Sequence, residues 1–245
     1  MRFMKIEAWF LTDKGLRRDS NQDSCLVIKE NGLFVVADGM GGHSGGEVAS
    51  SLAVQSVREV FQAGTASGMS PREMIFKAYE TASHRIFDKA AHESPELAGM
   101  GTTMVLACIR GNMIYVANVG DSRCYLFRKP HLWQLTEDHS LINEQVRAGL
   151  LTEDQAHAMV GRNVITRSVG YERDVHPDII ERQMQPGELL LLCSDGLTSM
   201  VPDERISEIL NHHPAEKAAR LCVEQALANG GDDNVTVLVI HVQAS

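Results

Sequence analysis

The residues best suited to chemistry are aspartates that stand at the ends of predicted strands. Asp38 ends the apolar run "LFVVAD", Asp195 ends "LLLLCSD" and Asp121 follows "MIYVANVG". Asp23 precedes "SCLVI" and Asp233 precedes "NVTVLVI". In antiparallel sheets the ends of some strands and the starts of others lie on the same edge, so these carboxylates are expected to converge on one rim.

Carboxylates gathered in this way need cations, because like charges at close range repel and raise one another's pKa values. Hard divalent ions such as Mg²⁺ or Mn²⁺ prefer oxygen ligands of this kind. An aspartate at a strand tip, such as Asp38, can bridge two ions, and the carbonyl of Gly39 can approach a metal without a side chain in the way. Two ions roughly 3.5–4 Å apart generate hydroxide and stabilise a transferring phosphoryl group, which predicts metal-assisted phosphoester hydrolysis.

The glycine-rich stretch after Asp38 is explained by the same arrangement. Five glycines fall within residues 39–46, between a predicted strand and a predicted helix. Glycine permits backbone conformations that other residues reach at a cost. We therefore predict a tight loop that leads from the strand tip into the helix.

The elements that must position these residues follow from turn signals and hydrophobic periodicity. The turns at 29–32 and 110–112 contain glycine and asparagine between β-branched runs, which predicts hairpins and largely antiparallel sheets. Helices are predicted over 45–62, over 71–92, where Ser70-Pro71-Arg72-Glu73 is a capping signal, and over 214–229. This order of strands, helices and strands is typical of an α+β fold.

The segment 138–170 differs from the rest of the chain because it has little apolar content to anchor it. We predict two short helices there, the second opened by Thr152-Glu153-Asp154-Gln155, and interpret the segment as a flap over the body. The seven prolines are spread out and no linker is visible, so residues 1–245 are predicted to form one domain that includes the flap.

Composition excludes several classes of partner. The net charge of −9 has no compensating basic run, so neither nucleic acid nor an anionic membrane is an expected partner. There is no 18-residue apolar run and no apolar block at the N-terminus, and a cytoplasmic protein is expected. The five scattered cysteines have no Cys-x-x-Cys pair and are interpreted as reduced core residues.

Eight short motifs occur in an order that resembles one known family. They are "RRDSNQD", "VVADGMGGHSGGEVAS", "GTT", "VGDSR", "LTEDHS", "RNVITRSVG", "LCSDGL" and "GGDDNVTVLVI". Together they cover roughly residues 8–241 and resemble the metal-dependent PP2C-type (PPM) protein phosphatases, most closely the single-domain bacterial Ser/Thr members. The resemblance implies a four-layer αββα sandwich in which helices flank two central antiparallel sheets, with the metal cluster at one end.

The resemblance also implies roles for individual residues. Asp38 matches the aspartate that bridges both ions, Gly39 matches the glycine that lends a carbonyl, and Asp195 and Asp233 match the aspartates that complete one metal. Asp121 matches a ligand of a third, weaker ion. Arg18 matches the arginine that holds the substrate phosphate, a task for which a guanidinium fork is better suited than a lysine. Arg18 and Asp38 are therefore the expected catalytic residues.

Three positions depart from the family pattern. Gln22 stands where many relatives have Glu, so Asp23 is the ionisable ligand there and waters are expected to complete the second ion. Met40 stands where eukaryotic-type members have a His that is proposed as general acid, and His43 is shifted by three residues, which leaves the acid unassigned. Ser199 stands where some members have an acid that helps the third ion.

These expectations combine into one function. The resemblance implies Mn²⁺- or Mg²⁺-dependent hydrolysis of phosphoserine and phosphothreonine in proteins by a metal-activated water. The partners would be phosphorylated proteins, including a bacterial Ser/Thr kinase that the phosphatase opposes, or the targets of that kinase.

Other functions are less consistent with the sequence. Residues 42–46 fit the Gly-x-Ser-x-Gly pattern of serine hydrolases, but that elbow places its serine at the strand tip, where Asp38 stands. A dinucleotide site lacks its third glycine, and a Walker lysine is absent. A catalytically dead phosphoprotein-binding module would have lost metal-ligating acids, whereas Asp38, Asp195 and Asp233 are all present.

Overall fold

The computed structural model describes residues 4–42, 44–93, 95–152, 155–156 and 164–244. Its strands are β1 (Met4–Asp13), β2 (Asp23–Ile28), β3 (Leu33–Met40), β4 (Gly101–Thr102), β5 (Met104–Arg110), β6 (Met113–Val119), β7 (Arg123–Arg128), β8 (His131–Gln134), β9 (Asp178–Gln183), β10 (Leu189–Cys193) and β11 (Val235–Ala244). Its helices are α1 (Gly45–Ser67), α2 (Pro71–Asp88), α3 (Leu141–Arg147), α4 (Asp195–Thr198), α5 (Asp203–His212) and α6 (Ala215–Ala228).

The strands form two sheets, in the orders β1-β11-β10-β7-β8 and β2-β3-β5-β6-β9, with the short β4 on β3. All pairings between these strands are antiparallel. The two predicted hairpins are present, and their glycines have the positive φ values that tight turns need: Gly32 has φ 49° and Gly111 has φ 62°. The antiparallel topology that brings the aspartates to one rim is confirmed.

Three apolar layers hold the elements together. One lies between the two sheets and includes Phe34, Val36, Leu190 and Leu192. A second packs α1 and α2 on the outer face of one sheet, and a third packs α5 and α6 on the outer face of the other. Strands buried on both faces are unbroken apolar runs, and the Leu-Leu-Leu-Leu-Cys of β10 is an example. The α+β class and the four-layer αββα sandwich are confirmed.

Local capping interactions set several of the helix ends, and some of these ends differ from the predicted bounds. The capping box that opens α2 is formed: Ser70 Oγ accepts from the amide of Glu73 at 3.3 Å, and Glu73 Oε2 accepts from the amide of Ser70 at 2.8 Å. Helix α1 continues past the predicted end to Ser67 and stops at Gly68, whose φ is 76°. Helix α2 ends at Asp88 and a π-helical turn follows, and α5 was not predicted.

The described part of segment 138–170 contains α3, which is capped by Ser140. The second predicted capping signal is also formed, with Thr152 Oγ1 accepting from the amide of Gln155 at 3.2 Å. Isolated bridges join Ser140 to Ile165 and Thr102 to Val169. Most of the second predicted helix lies outside the described residues, and the flap and the domain bounds stay predictions. None of the described helices combines the length and the hydropathy needed to cross a bilayer.

Candidate metal and phosphate site

The five aspartates stand where the two sheets present strand ends at the same end of the sandwich. Asp23 opens β2 and lies directly opposite Asp38 of β3 in the antiparallel register. Asp195 follows β10 as the first residue of α4, Asp233 comes two residues before β11, and Asp121 follows β6. The structure thus brings together all of the aspartates that the sequence pointed to.

Asp23 belongs to one sheet but takes its hydrogen bonds from the other. Its Oδ2 accepts from Ser194 Oγ at 2.8 Å and from Thr236 Oγ1 at 2.6 Å. Its Oδ1 is buried and makes no hydrogen bond with the residues that the structure describes. A buried acceptor without a donor is costly, and a cation is the kind of partner that this oxygen lacks.

Asp38 is fixed through its backbone by two threonines. Its amide donates to Thr103 Oγ1 at 3.1 Å, and its carbonyl oxygen accepts from the Thr103 amide and from Thr102 Oγ1, both at 2.8 Å. Both threonines belong to the Gly-Thr-Thr motif at residues 101–103. The structure shows that these threonines hold the strand tip that carries Asp38.

The glycines after Asp38 allow backbone to pack against backbone. A Cβ on Gly39 would lie 1.9 Å from the Gly46 carbonyl oxygen, and a Cβ on Gly46 would lie 2.6 Å from the Gly39 carbonyl oxygen. The start of α1 therefore packs directly on the end of β3. This close approach is a reason for the glycines that the sequence did not reveal, because the two positions are joined only by folding.

The electrostatics of the rim are those of a cation site. Burial and the neighbouring carboxylates raise the pKa of Asp38 well above its ordinary value. Burial raises the pKa of Asp23 to about 7, although Thr236 and Ser194 oppose the change, and burial with Asp195 and Asp138 nearby raises the pKa of Asp121 to about 7. These carboxylates resist ionisation without a counter-charge, and their hard oxygens fit divalent cations.

Among the described residues, the side chains at the rim do not by themselves supply a complete coordination shell. Within the described ranges, no three acidic, histidine or cysteine side chains form a ready-made cage around one point. Hard cations such as Mg²⁺ normally keep several water ligands. Residues of this rim therefore fit ions that are bound through a few carboxylates and completed by water.

Arg18 reaches the rim from the loop between β1 and β2. Its Nη2 donates to Asp233 Oδ2 at 2.6 Å, and its side chain remains 52% exposed. The hydrogen bond to Asp233 and the charges of Asp38 and Asp195 raise the pKa of the guanidinium, so it stays charged. A half-exposed guanidinium beside the carboxylates can meet an anionic ligand from the solvent side.

The turn before Asp121 is held by His139. The amide of Gly120, whose φ is 105°, donates to His139 Nδ1 at 3.0 Å, and the Gly120 carbonyl accepts from the His139 amide at 3.0 Å. The other ring nitrogen, Nε2, lies 3.0 Å from Asp178 Oδ2 and 2.8 Å from Arg167 Nη1. His139 is thus a local hydrogen-bonding residue that ties the turn before Asp121 to Asp178.

The remaining departures from the family pattern are placed as follows. Met40 ends β3 and its side chain lies near Gly101. Methionine cannot act as an acid, so this position supplies none. Ser199 is exposed, one turn after Asp195, and donates its amide to the Asp195 carbonyl at 2.8 Å. His43 lies outside the described residues.

Comparison with known proteins assigns the family. The family model described as Protein phosphatase 2C matches residues 16–228. The chain is 38% identical over 96% of both chains to the serine/threonine phosphatase stp of Listeria monocytogenes. It also resembles the crystal structure of the Mycobacterium tuberculosis serine/threonine phosphatase PstP/Ppp, at 34% identity and a TM-score of 0.90, over 97% of this chain and 99% of that one.

A second solved structure bears on the cofactor. The catalytic domain of PstP in complex with two manganese ions matches at 34% identity and a TM-score of 0.87, over 98% of this chain and 99% of that one. A phosphatase of this family depends on metal, which agrees with the donor set of the rim. Family membership therefore excludes both the serine hydrolase and the catalytically dead binding module. This chain belongs to the protein phosphatase 2C family and is a protein serine/threonine phosphatase.

Proposed function

We propose that the protein removes phosphate from phosphoserine and phosphothreonine in proteins with two Mn²⁺ or Mg²⁺ ions, and that it opposes a bacterial Ser/Thr kinase. The observation that carries the proposal is the set of carboxylates at one rim whose pKa values are raised by burial and by one another. Such a cluster is unfavourable unless cations are bound. Bound divalent cations are what metal-assisted phosphoryl transfer requires.

The proposed ligands are divided by their place on the rim. Asp38, Asp195 and Asp233 would hold one ion, and Asp23 and the Gly39 carbonyl would contribute to the other. Asp121 would contribute to a third, weaker ion. When bound, ions of this kind lower the pKa of water and neutralise charge on the phosphoryl group.

Arg18 is the proposed substrate-binding residue. One guanidinium N–H donates to Asp233, and Arg18 makes no other side-chain hydrogen bond with the described residues. The other N–H groups therefore remain for phosphate oxygens. The contact with Asp233 fixes the direction of the side chain, which reduces the entropy lost when phosphate binds. Phosphorylated proteins are the proposed partners, and the cytoplasmic location expected from the sequence stays a prediction.

The ligand assignment is tested with a pair of adjacent aspartates. Asp233→Asn is expected to lose Mn²⁺ binding in calorimetry and Mn²⁺-dependent hydrolysis of a phosphothreonine peptide, because it removes a charged ligand. Asp232→Asn is the control, since the Asp232 side chain is 61% exposed and pairs with Arg17 at 3.7 Å. Equal losses in both variants, or full activity in excess chelator, would refute the metal assignment.

The assignment of Arg18 is tested by kinetics. Arg18→Ala is expected to raise KM for the phosphopeptide more than it lowers kcat, because a phosphate clamp acts in the ground state as well as in the transition state. Arg17→Ala is the matched control, since that side chain is 75% exposed. An unchanged KM in Arg18→Ala would place the phosphate elsewhere. Comparing the phosphoproteomes of cells with active protein and with Asp38→Asn tests the link to a kinase.

A further inference from the structure

The loop that carries Arg18, residues 14–22, has little burial to hold its shape. Residues 16–20 are exposed, and Leu16 is 68% exposed. A segment without packed apolar side chains opens locally at low cost unless hydrogen bonds restrain its backbone. The conformation that directs Arg18 to the rim must therefore depend on polar contacts.

Asn234 supplies three of these contacts from the opposite end of the chain. Its Nδ2 donates to the carbonyl oxygens of Lys14 and Ser20, both at 2.9 Å, and its Oδ1 accepts from the amide of Gln22 at 2.7 Å. Asn234 is only 4% exposed. Both N–H donors of the side-chain amide are used, and the three partners lie on both sides of Arg18.

The same short segment that clamps the loop also meets the arginine. Asp233 accepts the Arg18 hydrogen bond at 2.6 Å, and the Gly231 carbonyl accepts from the amide of Leu16 at 2.7 Å. The backbone of the loop and the guanidinium of Arg18 thus both bond to residues 231–234, which lead into β11. A guanidinium placed before the substrate arrives binds phosphate at a lower entropic cost.

We infer that Asn234 is a positioning residue that holds loop 14–22 in the conformation that presents Arg18 to a phosphate. The inference rests on the proposed phosphate-binding role of Arg18. Asparagine suits the task because its amide offers two donors and an acceptor at once, whereas aspartate has no donor for the two carbonyl oxygens. Asn234 itself does not touch the substrate.

The first test measures the loop without using activity. In Asn234→Ala, hydrogen exchange within residues 16–22, measured at the hydrogen-bonded amides of Leu16 and Gln22, is expected to quicken by about tenfold or more, because the three hydrogen bonds of Asn234 are lost. The amides of β10 should keep their rates. Unchanged exchange in residues 16–22 in a folded Asn234→Ala protein would overturn the inference.

A matched control is available on the other side of the rim. Asn118 is 2% exposed, and its Nδ2 donates to the carbonyl oxygens of Gly120 and Glu137 at 3.1 Å and 3.0 Å. Asn118→Asp and Asn234→Asp make the same chemical change at buried sites. Only Asn234→Asp should quicken exchange in residues 16–22, and this pair also serves if Asn234→Ala does not fold. Faster exchange in that loop from Asn118→Asp would overturn the inference.

The second test is a double-mutant cycle at saturating Mn²⁺. Asn234→Ala is expected to raise KM for a phosphothreonine peptide, and the inhibition constant of inorganic phosphate, by roughly fivefold, with kcat within about twofold. In the Arg18→Ala background the same change should alter KM by less than about twofold, since the residues act as one unit. A full effect in that background would overturn the inference.

The experiments distinguish the role of Arg18 from the role of Asn234. If Arg18→Ala alone leaves KM unchanged, the proposed role of Arg18 fails, while hydrogen exchange still decides whether Asn234 orders the loop. If Asn234→Ala weakens Mn²⁺ binding as strongly as Asp233→Asn does, it acts through the metal ligands, and positioning of Arg18 is refuted.

Discussion

Replacing Asp23 by Asn is expected to remove part of the pH dependence of stability in the metal-free protein. Burial raises the pKa of Asp23 from 3.8 to about 7 in the folded protein. A carboxyl group whose folded pKa is raised stabilises the fold while it is protonated, and this contribution is lost as pH rises from the unfolded pKa through the folded one. The metal-free parent should therefore become less stable between pH 3.8 and about 7.

The magnitude follows from the size of the shift. Between about pH 5 and about pH 8.5, a group with these two pKa values costs the fold about 2 to 3 kcal/mol as it ionises. Asn cannot ionise, and it can still accept the hydrogen bonds of Ser194 and Thr236 through its amide oxygen. Asp23→Asn should lack this loss. Burial lowers the pKa of His139, so this residue makes the fold more stable as pH rises. This contribution is the same in the parent and in Asp23→Asn.

The assay is urea unfolding of both proteins in chelator at the two pH values. The parent should lose about 2 to 3 kcal/mol more than Asp23→Asn does. Repeating the series in Mn²⁺ should reverse the slope for the parent, since ions bind the deprotonated carboxylates and stabilise the folded state. Parallel pH profiles of the two proteins in chelator would refute the reasoning, because Asp23 would then have the same pKa in the folded and unfolded states.

Three further outcomes are expected. Gly39→Ala should lower the free energy of unfolding by more than about 2 kcal/mol, since its Cβ would meet the Gly46 carbonyl oxygen at 1.9 Å; an unchanged urea midpoint would show that the loop yields. Asp121→Ala should abolish the weakest phase of Mn²⁺ binding in calorimetry and Ser199→Asp should tighten it, whereas identical weak phases would remove both residues from a third site. His139→Asn, which keeps an acceptor in place of Nδ1, should be more stable than His139→Ala by about 1 kcal/mol, and equal unfolding midpoints would discount that acceptor.

Local signals predicted most of the fold. Apolar runs between glycine-containing turns predicted antiparallel strands, and the Ser70 capping signal predicted the start of α2, because each depends on neighbours in the chain. Helix α5 was missed although it is amphipathic, since it is short and its apolar residues Ile206, Ile209 and Leu210 are fixed by packing on the sheet. The end of α2 was misplaced because a π-helical turn replaces its predicted last residues.

The sequence by itself determined which side chains are available for chemistry and that they stand at strand tips, because residue type and hydrophobic pattern are local properties. Only the tertiary structure decided how those side chains are held. The Arg18–Asp233 hydrogen bond joins residues that are 215 positions apart. The contacts of Asn234 with Lys14, Ser20 and Gln22 arise in the same way, since they form only when β11 folds beside β1. Hydrogen bonds act over about 3 Å, so distant partners are set by the packing of the two sheets and not by any pattern along the chain.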